Sequence, residues 1–189
     1  MAAEPIADAA RPSTGLPPSI RVEPPRIDDG PELWRLAREC DELDLNSPYC
    51  YLLWCREFGQ TSVVARTGRT VIGFVTGLIR PEAVDTLFVW QVAVDRAYRG
   101  YGIGRGMLNG LTASASRFGC RYLEATVSPG NEPSARMFTS FARAHAAPLA
   151  WSEGFGAAMF PDRHEREDLL RIGPLRNGHG PEDERHVRR

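Results

Sequence analysis

The stretch Gln91-Val92-Ala93-Val94-Asp95-Arg96-Ala97-Tyr98-Arg99-Gly100-Tyr101-Gly102-Ile103-Gly104 decides how the rest of the chain is read. After Gln91 come Val92, Ala93 and Val94, apolar and mostly β-branched as in a buried strand. A short polar turn follows, and helical spacing begins at Gly102. Glycines at the start of a helix let backbone amides approach a ligand, because no Cβ stands in the way. The unpaired N–H groups and the positive end of the helix dipole there favour phosphate. A pyrophosphate is the natural guest, although a plain strand-to-helix turn uses the same residues. The dinucleotide fingerprint G-x-G-x-x-G is not met: Met107 stands where its last glycine belongs, and Gly106 is out of register.

Outward from this stretch, strands and helices alternate. Upstream, Thr86 to Val94 is a strong strand, and Thr61 to Ala65 and Val71 to Ile79 are β-rich runs around a hairpin signal at Thr67-Gly68. Asn46-Ser47-Pro48 opens a helix with Ser47 as cap and Pro48 in the first turn; Leu52, Leu53 and Phe58 are its expected apolar face. Before it, Asp29-Gly30-Pro31 opens a helix to Leu43 with Leu33, Leu36, Ala37 and Cys40 at helical spacing, and Ile20 to Ile27 reads as a strand. Downstream come a helix over Gly102 to Phe118, a strand over Arg121 to Val127, a helix over Glu132 to His145, and shorter strands at Trp151 to Met159 and Leu169 to Ile172. This is one α/β or α+β domain.

The 189 residues suit one core, and 42% hydrophobic residues suffice to pack it. Residues 1–19 and 176–189, rich in Ala, Pro, Gly and charge, read as disordered tails around a domain at 20–175. A net charge of -1 calls for neither nucleic acid nor an anionic membrane. Cys40, Cys50, Cys55 and Cys120 have no zinc-ligand spacing, so no metal is expected and reduced thiols fit best. With no apolar run of membrane length and no secretory signal, the cytoplasm is the expected compartment.

The segment Val92-x-Val94 followed by Arg99-x-x-Gly102-x-Gly104, with Asn131 after the next strand, resembles the acyl-CoA loop of the GCN5-related (GNAT) N-acetyltransferases. The resemblance spans about Ile20 to Leu175. It implies a mixed central sheet with splayed central strands flanked by helices, and acetyl-CoA as co-substrate. By matching position, Gln91, Val92, Ala93 and Val94 would offer strand backbone to pantetheine; Arg99, Gly100, Tyr101, Gly102, Ile103 and Gly104 would form the pyrophosphate loop; Asn131 would lie near the pantetheine. One residue departs from the pattern: Phe138 stands where many members carry a tyrosine that can protonate the leaving thiolate.

Four further segments narrow the acceptor: Leu43 to Leu52, Leu87 to Asp95, Tyr122 to Asn131, and His164 to Glu167 with Arg171 to Pro174. Together they resemble the diaminobutyrate acetyltransferases of ectoine biosynthesis. That resemblance implies L-2,4-diaminobutyrate as acceptor and a homodimer. It also implies an acceptor site of Asp44, Asn46, Tyr49, Trp90, Thr126, His164 and Glu167, with Glu167 as the base. The residue types suit the chemistry. A diamine arrives protonated, with nitrogens titrating near ~10, so a carboxylate must take a proton before attack. Aromatic faces hold ammonium groups. Each residue also has a structural use: Asp44 as a helix terminus, Trp90 as core, Thr126 as a β-former, His164 to Glu167 as a solvated charge run. Another small amine as acceptor, or a non-catalytic acyl-CoA-binding module, remains open on sequence, the latter favoured by Phe138.

Overall fold

The structure is a computed structural model that describes residues 16, 19–161 and 164–175. The elements run β1 (Ile20–Glu23), α1 (Gly30–Arg38), α2 (Pro48–Glu57), β2 (Val63–Thr67), β3 (Thr70–Arg80), β4 (Ala83–Val94), α3 (Ile103–Ala115), β5 (Tyr122–Val127), α4 (Glu132–Ala144), β6 (Leu149–Phe155) and β7 (Glu167–Ile172). They build one mixed sheet in the order β1-β2-β3-β4-β5-β7-β6. Among the described residues only β4 and β5 run parallel, and α3 supplies the crossover that parallel neighbours require.

Two apolar layers hold the sheet. On one face Met107, Leu108 and Leu111 of α3 and Phe141 of α4 pack with Ile72, Leu123 and Leu170. On the other, Leu33 and Leu36 of α1 and Tyr51 of α2 pack with Val64 and Phe74. β3 is buried on both faces, which is why it reads as a nearly continuous apolar run. Between β1, β2 and the start of α1, the almost fully buried Arg66 pairs with Asp29 at 2.8 Å and Glu23 at 2.9 Å.

Several expected boundaries shift for local reasons. β1 ends at Glu23, since Pro24 and Pro25 have no N–H to donate to a ladder. α1 ends at Arg38, short of Leu43, and its chain passes through tight turns toward the middle of β4. Ser47 caps α2 as expected, accepting from the Cys50 amide. The buried face of α2, however, is Tyr51 and Cys55; Leu52 is exposed, and Leu53 and Phe58 are half-buried. The helix is turned so that the Tyr51 hydroxyl reaches buried Gln91. β6 stops at Phe155, and 157–159 form a 3-10 turn. Leu16, within the expected N-terminal tail, packs on α3, where a Cβ at Gly106 would meet its side chain at 2.7 Å. Apart from Leu16 and Ser19, both expected tails lie outside the described residues.

Candidate active site

The parallel pair β4–β5 sets the site. Its pairing runs only from Thr86↔Tyr122 to Val89↔Ala125. Beyond that, β4 stays with β3 as far as Val94, and β5 stays with β7 as far as Val127. The two strands therefore part, and the backbone of 90–94 has lost its neighbour on one side. Buried backbone groups need partners, and an extended ligand arm with amide groups can supply them here.

The parting is helped by a bulge. Thr76 pairs with Gln91 and Gly77 with Val89, so Trp90 is the extra residue. Trp90 and Gln91 consequently both face α2, while Val89 and Val92 face α3. Trp90 stacks on Trp54 at 4.3 Å, and its remaining surface lines a cleft of about 710 Å³ that opens where the strands separate.

Beyond β4 the chain reaches the glycine turn. Gly100 and Gly102 have φ of 86° and 76°, left-handed values that glycine adopts without steric cost. Gly102 precedes α3, and the first amide bonded back to it is that of Gly106, at 2.9 Å. The amides between them are the donors every helix start leaves over. Gly104 has a second use: a Cβ there would sit 2.6 Å from Met137 Sδ, so it lets α4 lie close to α3. Arg99 folds back, donating from Nε to the Val94 carbonyl at 3.1 Å and lying 3.7 Å from Glu42. Asn131 caps α4 by accepting from the Ser134 amide at 3.1 Å and lines the cleft beside Phe138. Phe138 is buried and offers no proton to a leaving group.

The residues expected at the acceptor come from distant segments. Asp44, Asn46, Trp90, Thr126, His164 and Glu167 all line the cleft. Tyr49, on the first turn of α2 and 67% exposed, is outside that lining. The Asp44 loop is bolted to β4 through Gln91, whose Nε2 donates to the Asp44 carbonyl at 2.8 Å while its Oε1 accepts from Tyr51 at 3.2 Å. So Gln91, whose backbone is expected beside the cofactor, turns its side chain to the loop that carries Asp44. His164 contacts Asp44 Oδ2 through Nε2 at 3.0 Å, stacks on Phe160 at 4.2 Å, and lies 4.0 Å from Glu167 Oε1. Its ring pKa is pushed up, first by the hydrogen bond to the Glu165 carbonyl; desolvation opposes this, and Asp44 and Glu167 then add to the rise. Ser128, absent from the expected site, donates to Glu167 Oε1 at 2.6 Å. Trp54 was also not foreseen; its tryptophan-to-tryptophan spacing carries no signal until α2 is docked.

Among the described residues, Asp41, Glu42, Asp44, Glu165 and Glu167 bring five carboxylates to the lining, and His164 is the one basic side chain there. Such a cleft attracts a compact cation. Among the described residues no cysteine lines it, and burial pushes the thiols up, Cys55 to about 11. Also among the described residues, no His, Cys, Asp and Glu group is placed to hold a metal ion, and no helix is long and apolar enough to cross a membrane.

Comparison with known proteins agrees with this geometry. The model of the acetyltransferase (GNAT) family matches residues 30–142. An L-2,4-diaminobutyric acid acetyltransferase of Streptomyces avermitilis is 50% identical over 163 residues, covering 85% of this chain and 91% of that protein. One of Streptomyces coelicolor is 49% identical, covering 87% and 99%. Among solved structures, the diaminobutyrate acetyltransferase EctA from Paenibacillus lautus, in complex with L-2,4-diaminobutyric acid and coenzyme A, superposes with a TM-score of 0.80 at 40% identity, covering 88% of this chain and all of that one. Ard1 from Thermoplasma volcanium, at 16% identity and a TM-score of 0.65, shares the fold.

Proposed function

The chain belongs to the acetyltransferase (GNAT) family, and from that premise we propose that it transfers acetyl from acetyl-CoA to the γ-amine of L-2,4-diaminobutyrate, a step of ectoine biosynthesis. The products are N4-acetyl-L-2,4-diaminobutyrate and CoA. The observation that carries this reading is a cleft lined by five carboxylates and Trp90 that opens on the unpaired edge of β4. An anionic acyl carrier fits the glycine turn and strand edge; a small dication fits the acidic, aromatic end.

Acetyl-CoA supplies the activated acyl group. Its pantetheine arm runs along 90–94, near Asn131, and its pyrophosphate meets the amides of the Gly100–Gly104 turn, with Arg99 exchanging Glu42 for phosphate. Glu167 takes the γ-ammonium proton, directly or through water, so that the nitrogen can attack. Strand amides stabilise the charge that develops on the carbonyl oxygen. Asp44, steadied by His164, keeps the α-ammonium charged and away from the acyl group. Asn46 and Thr126 line the same space, and Trp90 offers its ring to the cation, a contact worth ~0.5–2 kcal/mol. Tyr49, exposed on the first turn of α2, stands outside this set. CoA departs as its thiolate, since Phe138 donates no proton and a thiol pKa near ~8.5 permits this.

The working unit in this reading is a cytoplasmic homodimer. The exposed Tyr49, Trp151, Phe155 and Met159, the last three on or after the edge strand β6, give such a contact apolar surface to cover. The deciding experiment measures CoA release from acetyl-CoA with L-2,4-diaminobutyrate, ornithine, lysine and spermidine, and locates the acetyl group by NMR. Turnover of diaminobutyrate at its γ-nitrogen is expected. Preference for another amine would discard the acceptor and keep the family.

A further inference from the structure

The Glu167 carboxylate faces a hydroxyl from the neighbouring strand. β5 and β7 pair antiparallel through Val127↔Asp168. The next step of that register sets Ser128 against Glu167, on the sheet face that carries Thr126. Ser128 Oγ donates to Glu167 Oε1 at 2.6 Å. A hydrogen bond of that length to a carboxylate is charge-assisted and roughly twice as strong as a neutral one. His164 Nε2 approaches the same oxygen at 4.0 Å. Among the described residues both contacts fall on Oε1.

The other side of Glu167 is fixed by its main chain. β6 bulges between Glu153, which pairs with Asp168, and Phe155, which pairs with Glu167. Gly154 makes this bulge possible, since a Cβ there would collide with the Glu167 carbonyl oxygen. Backbone placement alone does not aim a carboxylate, because the terminal torsion of a glutamate is broad. The Ser128 hydroxyl narrows it.

We infer that Ser128 is a positioning residue for the acetyl transfer: it holds Oε1 of Glu167 and thereby presents Oε2 to the acceptor amine. This rests on Glu167 being the base. Ser128 itself exchanges no proton with the substrate in this role. A catalytic group left to wander by about 1 Å can lose on the order of 100-fold in rate.

The test is steady-state kinetics of Ser128→Ala, Ser128→Thr, Glu167→Gln and the Ser128→Ala, Glu167→Gln double variant. Ser128→Ala is expected to lower kcat about 10- to 100-fold with the KM for acetyl-CoA unchanged. Ser128→Thr, which keeps the hydroxyl, restores most of the rate. In the Glu167→Gln background the serine change adds little, because the group it positions is already gone. The same fold loss in both backgrounds, or a threonine variant as slow as the alanine one, overturns the role of Ser128 and leaves Glu167 in place. Near-normal turnover by Glu167→Gln alone removes the base, and the Ser128 role goes with it.

Discussion

The two ends of the cleft are made in different ways. The cofactor end comes almost entirely from one continuous segment, 89–104, and offers mainly backbone: a strand edge without a neighbour, glycines at left-handed angles and the first amides of α3. The proposed acceptor end is assembled from the loop at 44–46, the bulge at Trp90, the end of β5 and the start of β7, and offers side chains. Backbone recognition tolerates substitution as long as the path of the chain is kept. Side-chain recognition tolerates changes of path only where a second contact, such as Gln91 to Asp44, restores the placement. A family can therefore change its acceptor while leaving the acyl carrier site alone.

If that division holds, substitutions at the two ends separate in their kinetic effects. Glu167→Gln has the largest expected effect, a fall in kcat of about 10²- to 10⁴-fold with acetyl-CoA binding intact by calorimetry. Weakened acetyl-CoA binding in this variant would break the division. Gly102→Ala comes next. A side chain at φ of 76° costs about 1–2 kcal/mol, so the KM for acetyl-CoA should rise roughly tenfold while that for the diamine stays put. Tyr51→Phe removes only the hydroxyl that holds Gln91, and is expected to raise the KM for the diamine roughly fivefold. Equal changes in both KM values would mean that the Asp44 loop serves both ends.

The smallest effect is a pH dependence. The folded-state pKa of His164 is raised, first by the Glu165 carbonyl and then by Asp44. Its stabilising contribution is therefore fully present below the unfolded value of about 6.5 and fades as pH climbs through the folded value. Wild type should exceed His164→Gln in Tm most clearly near about pH 5.5, with the gap closing toward about pH 8.5. A gap that widens with pH would contradict the pairing.

The cofactor end was legible in the sequence because strand, turn and helix follow one another there, and each residue's use depends on its immediate neighbours. The acceptor end was legible only as a set of suitable residue types, brought together by resemblance. Periodicity chose Leu52 and Leu53 for the buried face of α2, since aliphatic side chains outrank tyrosine. Docking chose Tyr51, because its ring fills the layer beside Phe74 at 6.2 Å and its hydroxyl satisfies Gln91. Ser128 carried no local signal at all. Its partner lies across a strand pair whose register is set by β7 entering the sheet between β5 and β6.

The extra residue at Trp90 gives β4 a phase slip. Below it, odd-numbered Leu87 and Val89 point to the α3 layer; above it, even-numbered Val92 and Val94 do, and odd-numbered Gln91 and Ala93 turn to the α2 side. A map of tolerated substitutions along this strand would thus alternate with period two and reverse its parity at one tryptophan. Deleting Trp90 alone would remove the bulge and leave every other side chain of the strand facing its present layer, in one unbroken alternation.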